Sequence, residues 1–126
     1  MHRIVIASLL ALAAAVPHAA VVWGGDHIEI TVEEKRATVE FDCAHGTIDG
    51  ALAPDSNGQF KIAGTFTPER SGPVREDTSQ TRAATYAGTI KHEAMTLRVT
   101  IAGPDAPPPM TFDLVRGQAG TVRKCR

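Results

Sequence analysis

The sequence has few aromatic residues and almost no net charge. Aromatic residues make up 5% of its 126 residues, and 13 Lys and Arg stand against 14 Asp and Glu, so the net charge is -1. Binding to nucleic acid or to an anionic membrane surface depends on a surplus of positive charge, which this chain lacks. We therefore expect no nucleic-acid partner.

Catalytic and cofactor-binding motifs are also missing. The sequence contains no Gly-rich phosphate loop, no G-x-S-x-G nucleophile elbow and no Cys-x-x-Cys pair. After the N-terminal segment, no stretch shows a helical apolar stripe with capping residues, and none is apolar for long enough to span a membrane. We expect no enzymatic activity, no cofactor and no membrane span in the mature chain.

The N-terminal segment is the longest apolar stretch of the sequence. His2 and Arg3 form a short basic start, and residues 4–16 are then apolar except for Ser8. This stretch has the length of a signal-peptide core, is too short to span a bilayer and has no polar face. We expect residues 1–19 to be a helical signal peptide and residues 20–126 to form one secreted or periplasmic domain.

Only two cysteines occur, Cys43 and Cys125. In the cytosol they would be free thiols, but an exported chain with two cysteines and no third is best explained by one disulfide. The bridge would span 82 sequence positions. The chain-entropy model assigns a loop of that length a stabilisation of about 4 kcal/mol.

Apolar and polar residues alternate through most of the mature chain, a pattern typical of strands with one buried face. Strands are predicted over residues 27–33, 37–43, 47–53, 59–67, 84–90, 95–101, 110–114 and 121–126. Turns rather than crossovers join them, which favours an antiparallel meander. Eight short strands form either a closed barrel or two packed sheets. We predict an all-β barrel, because Gly50, Gly64 and Gly88 on apolar faces permit the coiling that closure requires.

The segment Trp23-Gly24-Gly25 resembles the start of the calycin class, the lipocalins and avidin-like proteins. In that class a Trp beside Gly opens the first strand, and a basic residue from the last strand packs across the indole. The resemblance implies a barrel in which Arg123 or Arg126 covers Trp23. Segments 23–28, 41–48, 86–88 and 95–97 also resemble small uncharacterised exported bacterial all-β proteins, a similarity that implies no activity.

The histidines are the candidate metal ligands. His27 and Glu29 are two residues apart on a predicted strand and would face the same side, but a metal site would also need His45. We prefer solvated or backbone-bonded histidines, and therefore expect no metal. Cys43 beside His45 would suit a thiol nucleophile with its base, yet the predicted disulfide uses that thiol. His92 lies in a predicted turn and is expected to be exposed.

The barrel interior either is filled by side chains or lines a pocket for a small ligand, and we expect it to be filled. Residues 68–82 form the longest irregular stretch, and long loops in compact domains are often functional or mobile. Arg70 and Arg75 are its candidate contact residues, with Trp23 and His27 at the barrel mouth.

We expect a monomeric, non-catalytic exported barrel that binds a small apolar molecule at its mouth or a protein through its loops. Two alternatives stay open. One is a protease-inhibitor-like module acting through loop 68–82, and the other is a structural envelope protein.

Overall fold

The computed structural model describes residues 20–69 and 80–125. The predicted signal peptide, Arg70, Arg75 and Arg126 therefore lie outside the described residues. The described strands are β1 (Val21–Gly25), β2 (Ile28–Val32), β3 (Ala37–Phe41), β4 (Ala44–Ile48), β5 (Gln59–Pro68), β6 (Arg82–Lys91), β7 (Ala94–Ile101) and β8 (Met110–Arg116).

Each strand pairs antiparallel with the next one, and β8 pairs with β1 to close a barrel. The predicted all-β meander barrel is thus confirmed, and the alternative of two packed sheets is wrong. The pairing between β1 and β8 is short, with only Trp23 opposite Arg116 and Gly24 opposite Val115. No helix among the described residues is long and apolar enough to cross a membrane.

Three strand assignments from the sequence are wrong. Strand β1 was missed, because two of its five residues are glycines and a strand containing Gly has a weak pattern. Strand β4 lies before the predicted segment 47–53, because the turn is formed by Asp42 and Cys43 and leaves Phe41 opposite Ala44. Segment 121–125 makes only an isolated parallel bridge, between Thr121 and Asp26.

The barrel interior holds the large side chain of Tyr86. Tyr86 is fully buried, and its hydroxyl donates a hydrogen bond of 2.6 Å to the Thr65 carbonyl. A Cβ atom at Gly46 would lie 2.3 Å from that hydroxyl oxygen, and one at Gly64 would lie 2.9 Å from the ring. These glycines therefore make room for the Tyr86 ring. Burial raises the pKa of Tyr86 well above its ordinary value, so the phenol stays neutral.

One end of the barrel, which we call the upper rim, carries most of the features described below. It comprises the turns 26–27 and 42–43 and the connections between β5 and β6 and between β7 and β8. His27 and Cys43 both have positive φ angles, of 69° and 51°, in their two-residue turns. Hairpin turns of this length require positive φ, which Gly or Asn usually supplies.

Residues 117–125, which we call the strap, run back along the outside of β1 towards the upper rim. Gly117 N donates to Val22 O at 2.7 Å, and Thr121 N donates to Gly25 O at 3.0 Å. A Cβ atom at Gly24 would lie 2.2 Å from the Gln118 carbonyl oxygen, so this glycine allows the strap to lie directly on β1. The strap reinforces the barrel beside its short β1–β8 seam.

The strap ends at the predicted disulfide. Cys125 is paired with Cys43, and their Cα atoms are 4.8 Å apart, within the range of ordinary disulfides. Cys43 N also donates to Arg123 O at 3.0 Å. A disulfide-bonded pair is compatible with an oxidising compartment.

Candidate binding site at the upper rim

An open pocket of about 660 Å³ lies at the upper rim, and we call it the mouth pocket. Its volume falls within the range of about 300 to 1,000 Å³ that is typical of small-ligand sites. Its lining residues include Phe66, Pro68, Arg82, Ile101, Asp105 and Pro107. Gln80 and Thr81 also line it, so the pocket combines apolar side chains with polar ones and with two charged side chains of opposite sign.

The strand geometry directs Arg82 towards the barrel axis. Arg82 shares a face of β6 with Ala84 and Tyr86, which are both buried, and its register partner on β5 is Phe66. The Phe66 ring packs against Phe41 with a centroid distance of 5.1 Å, which places this pair of positions on the inner side of the wall. Arg82 is therefore a half-buried cation at the mouth of the barrel.

Arg82 has no ionic partner in the part of the chain that the structure describes. No Asp or Glu there lies within ion-pair distance of its guanidinium, and Asp105 of the same pocket is also unpaired. The sequence pattern does not predict a site at Arg82, because this residue closes the irregular stretch 68–82. Arg82 lies two residues before the inward-facing Ala84, and this spacing alone places it on the inner face of the strand.

Asp42 connects two turns of the upper rim with the strap. Its Oδ2 atom lies 2.5 Å from Nδ1 of His27, and its Oδ1 accepts a hydrogen bond of 2.7 Å from Arg123 N. The backbone N–H of Arg123, together with His27, lowers the pKa of the Asp42 carboxyl. This carboxylate therefore holds the strap to the β1–β2 and β3–β4 turns.

Lys124 makes a second connection beside the disulfide. Its Nζ atom donates to the Ala44 carbonyl at 2.8 Å and lies 2.5 Å from Glu40 Oε2 and 3.0 Å from Glu69 Oε1. His45 Nδ1 donates to the same Glu69 oxygen at 2.9 Å. Burial alone would raise the pKa of Glu69, but the hydrogen bonds from His45 and Lys124 lower it overall. The strap is thereby attached to the end of β5, next to the mouth pocket.

The structure separates the residues that the sequence grouped as site candidates. Trp23 is 4% exposed and belongs to the core, whereas His27 is exposed in a turn. Arg123 is exposed and bonds through its backbone, and no Arg or Lys of residues 20–69 and 80–125 stacks on the Trp23 ring. The expectation that Arg123 caps the indole is therefore wrong. Arg126, the other predicted partner, is not among the described residues.

His27 and Glu29 do not lie on the same strand, so the prediction that they face the same side of one strand is wrong. His27 lies in the β1–β2 turn, and its ring contacts Asp42 instead of sharing a strand face with Glu29. Across the described segments, no three His, Cys, Asp or Glu side chains converge in an arrangement suited to a metal ion. His92 is exposed in the β6–β7 turn, as predicted.

The lowered pKa values of Asp42 and Glu69 predict a loss of stability in acid. A group whose pKa is lower in the folded state stabilises the fold above its unfolded pKa, and this contribution disappears as the pH falls through the folded pKa. The ordinary values are 3.8 for Asp42 and 4.5 for Glu69. We expect the free energy of unfolding to decrease as the pH is lowered below 4.5.

Urea titrations across this pH range test the expectation on variants. Glu69→Gln is expected to lose about 1 kcal/mol at neutral pH, the scale of a partly screened charge-assisted hydrogen bond. Its curve should approach that of the wild type in acid, where the wild-type carboxyl is protonated. Glu34→Gln, at an exposed position, serves as the control and should follow the wild-type curve throughout. Equal acid sensitivity of Glu69→Gln and wild type would contradict this role of Glu69.

Comparison with known proteins gives no match: no family model, curated protein or solved structure is significantly similar to this chain. The closed barrel of eight antiparallel strands is compatible with a calycin-like fold on geometry alone.

Proposed function

We propose that the protein is an exported, non-catalytic binding module that takes a small molecule with an apolar part in the mouth pocket. The observation that carries this proposal is the open pocket of about 660 Å³ at the upper rim of the barrel. Because Tyr86 occupies the interior beneath Gly46 and Gly64, a ligand has room at the mouth rather than along the barrel axis. Apolar walls with a few polar groups are what small-ligand sites have in common.

The attachment of the strap supports a binding role. The disulfide, Asp42 and Lys124 connect the strap to β3, β4 and the end of β5 near the pocket. The part of the rim that these contacts fix, beside the turns 26–27 and 42–43, loses little conformational entropy when a ligand binds. The signal-like N-terminal segment and the disulfide support export to a secreted or periplasmic location.

The side chains at the upper rim also favour binding over catalysis. Both histidines there, His27 and His45, direct Nδ1 to a carboxylate, as a general base does. A base of this kind activates a hydroxyl or thiol, but within the described segments no Ser, Thr or Cys is hydrogen-bonded to either ring. Cys43 is paired with Cys125, so it supplies no nucleophile.

Probe binding followed by NMR tests the proposal. We expect 4-phenylbutan-1-ol and 4-phenylbutyrate, added to the exported, disulfide-bonded protein, to shift the amide signals of Phe66, Arg82 and Ile101. The signals of the β6–β7 turn at the opposite end should stay in place. A compact ligand of this size is expected to bind with a dissociation constant in roughly the millimolar range.

A matched pair of variants gives the control. Pro107→Trp puts a large ring at an exposed position of the pocket wall and should abolish the shifts. Pro54→Trp makes the same change at an exposed position in the β4–β5 connection and should leave them intact. Shifts that are absent, or that survive Pro107→Trp, would refute the proposal.

Recognition of a protein is the second candidate function. Pro68 and Arg82, at the two ends of the predicted contact loop, both line the mouth pocket. This position supports the proposal that a protein partner contacts loop 68–82. One form of it is the protease-inhibitor-like role, in which Arg70 and Arg75 act as anchors. Such a partner would cover the pocket and displace the two probes, which distinguishes it from a partner bound elsewhere.

A further inference from the structure

We propose that the mouth pocket binds a monocarboxylate with an apolar body, and that Arg82 holds the carboxylate. This inference rests on the proposed function and adds the chemical class of the ligand. It combines the orientation of Arg82, the lack of a counterion for it within residues 20–69 and 80–125, and the apolar side chains of the pocket.

Arg82 differs from the other arginines described. Arg36 is exposed and lies 3.8 Å from Glu33, and Arg98 is exposed on the outer face of β7. Arg116 shares the inward-facing side of its strand but is exposed at the lower end of β8. Arg123 is exposed on the strap, so Arg82 is the one half-buried arginine among the five described, and it has no counterion among the described residues.

A partly desolvated charge without a partner is unfavourable, and binding of an anion removes that cost. Arginine stays charged at every physiological pH, so the site does not become neutral instead. Its planar guanidinium donates two parallel hydrogen bonds that match the two oxygens of a carboxylate. A carboxylate is therefore the group that this position fits best.

The wall beside Arg82 determines the rest of the ligand. Phe66 lies opposite Arg82 in the strand register, Ile101 is 5% exposed, and Pro107 covers another side of the pocket. These surfaces offer burial to an aliphatic chain or a ring, and the polar side chains of Gln80 and Thr81 lie in the lining next to Arg82 in the sequence. A ligand with an apolar body next to its carboxylate matches both parts of the pocket.

Asp105 restricts the number of negative charges on the ligand. It lines the same pocket and has no cationic partner in the described part of the chain. With a single carboxylate at Arg82 the pocket already holds two anions and one cation, so a second carboxylate or a phosphate dianion would add further repulsion from Asp105. The pocket therefore favours a monocarboxylate over a dianion.

Two probes with the same apolar body test this inference. We expect wild-type protein to bind 4-phenylbutyrate at least about tenfold more tightly than 4-phenylbutan-1-ol, the effect of hydrogen bonds to a charged group. Arg82→Met should remove this preference and leave the affinity for the alcohol nearly unchanged. Arg98→Met, the same substitution at an exposed outer position, should retain the preference.

A further variant separates charge from geometry. Arg82→Lys keeps the positive charge but loses the planar pair of donors, so its preference for the carboxylate should fall between those of wild type and Arg82→Met. Because the wild-type protein alone gives the ratio of the two affinities, the test does not depend on how well any variant folds.

The possible failures are distinguishable. Equal binding of both probes in the mouth pocket, with or without Arg82, would overturn the carboxylate inference and leave the proposed function standing. Absence of both probes from the mouth pocket would overturn the proposed function and, with it, this inference.

Discussion

Cys125→Ser is expected to lower the free energy of unfolding by about 4.5 kcal/mol, according to the chain-entropy model of disulfides. The bond links positions 82 residues apart, so its loss frees the chain from β4 to the strap in the unfolded state. Cys125 is at the end of the strap, whereas Cys43 lies in a turn with a positive φ angle, so substitution of Cys125 disturbs the barrel less.

Urea unfolding followed by Trp23 fluorescence and by far-UV circular dichroism measures this effect. The wild-type protein reduced with a thiol is the matched control, because it loses the same bond without a substitution. The two should have similar stabilities, both well below that of the oxidised wild type. A loss of less than about 1 kcal/mol in both would mean that the hydrogen bonds of the strap hold the chain ends without the disulfide.

Gly24→Ala is expected to destabilise the protein by about 3 kcal/mol or more, from overpacking and from lost strap hydrogen bonds. The added Cβ would lie 2.2 Å from the Gln118 oxygen, 2.4 Å from Gly120 N and 2.5 Å from the Ala119 carbonyl carbon. All three atoms belong to the backbone, so the strap itself has to move. The bond between Thr121 N and Gly25 O would then be lost or lengthened.

Gly50→Ala is the matched control for this substitution. Its nearest contact would be a side-chain methyl of Ile62 at 3.1 Å, which can shift, so we expect a change below about 1 kcal/mol. In the Cys125→Ser background the effect of Gly24→Ala should shrink, because the strap is already less constrained. Fully additive effects of the two substitutions would show that Gly24 does not act through the strap.

Most of the barrel follows from local sequence patterns. In β7, Met95, Leu97, Val99 and Ile101 are all buried, and the intervening residues are exposed, so alternation alone predicts this strand. Strand β1 was missed because Gly24 and Gly25 carry no side chains to alternate. Glycine is needed at these two positions because of close contacts with other segments. The strap packs against Gly24, and the Asp113 carbonyl of β8 lies against Gly25.

The strap and the rim contacts depend on long-range packing. Thr121 to Cys125 has the composition of a short strand, but it runs parallel to β1 and pairs only at Thr121. The contacts of Lys124 with Glu40 and Glu69 join residues far apart in sequence, and no local pattern predicts them. These contacts can be predicted only when the strand register of the barrel and the pairing of the cysteines are known.

The mouth pocket was partly predictable. The sequence indicated the loop 68–82 and the barrel mouth, but it emphasised Trp23, which turns out to be a core residue. Arg82 was overlooked because the irregular charged stretch before it obscures the start of β6. Arg82 lies two residues before Ala84, so it continues the inward-facing positions of Ala84 and Tyr86.

Intermolecular nuclear Overhauser effects between bound 4-phenylbutyrate and the protein test the central claim most directly. If the probe binds in the mouth pocket, we expect contacts from its phenyl ring to the side chains of Phe66 and Ile101, with its carboxylate next to Arg82. Contacts to Tyr86 in the barrel interior, or to residues of the β6–β7 turn at the opposite end, would contradict it.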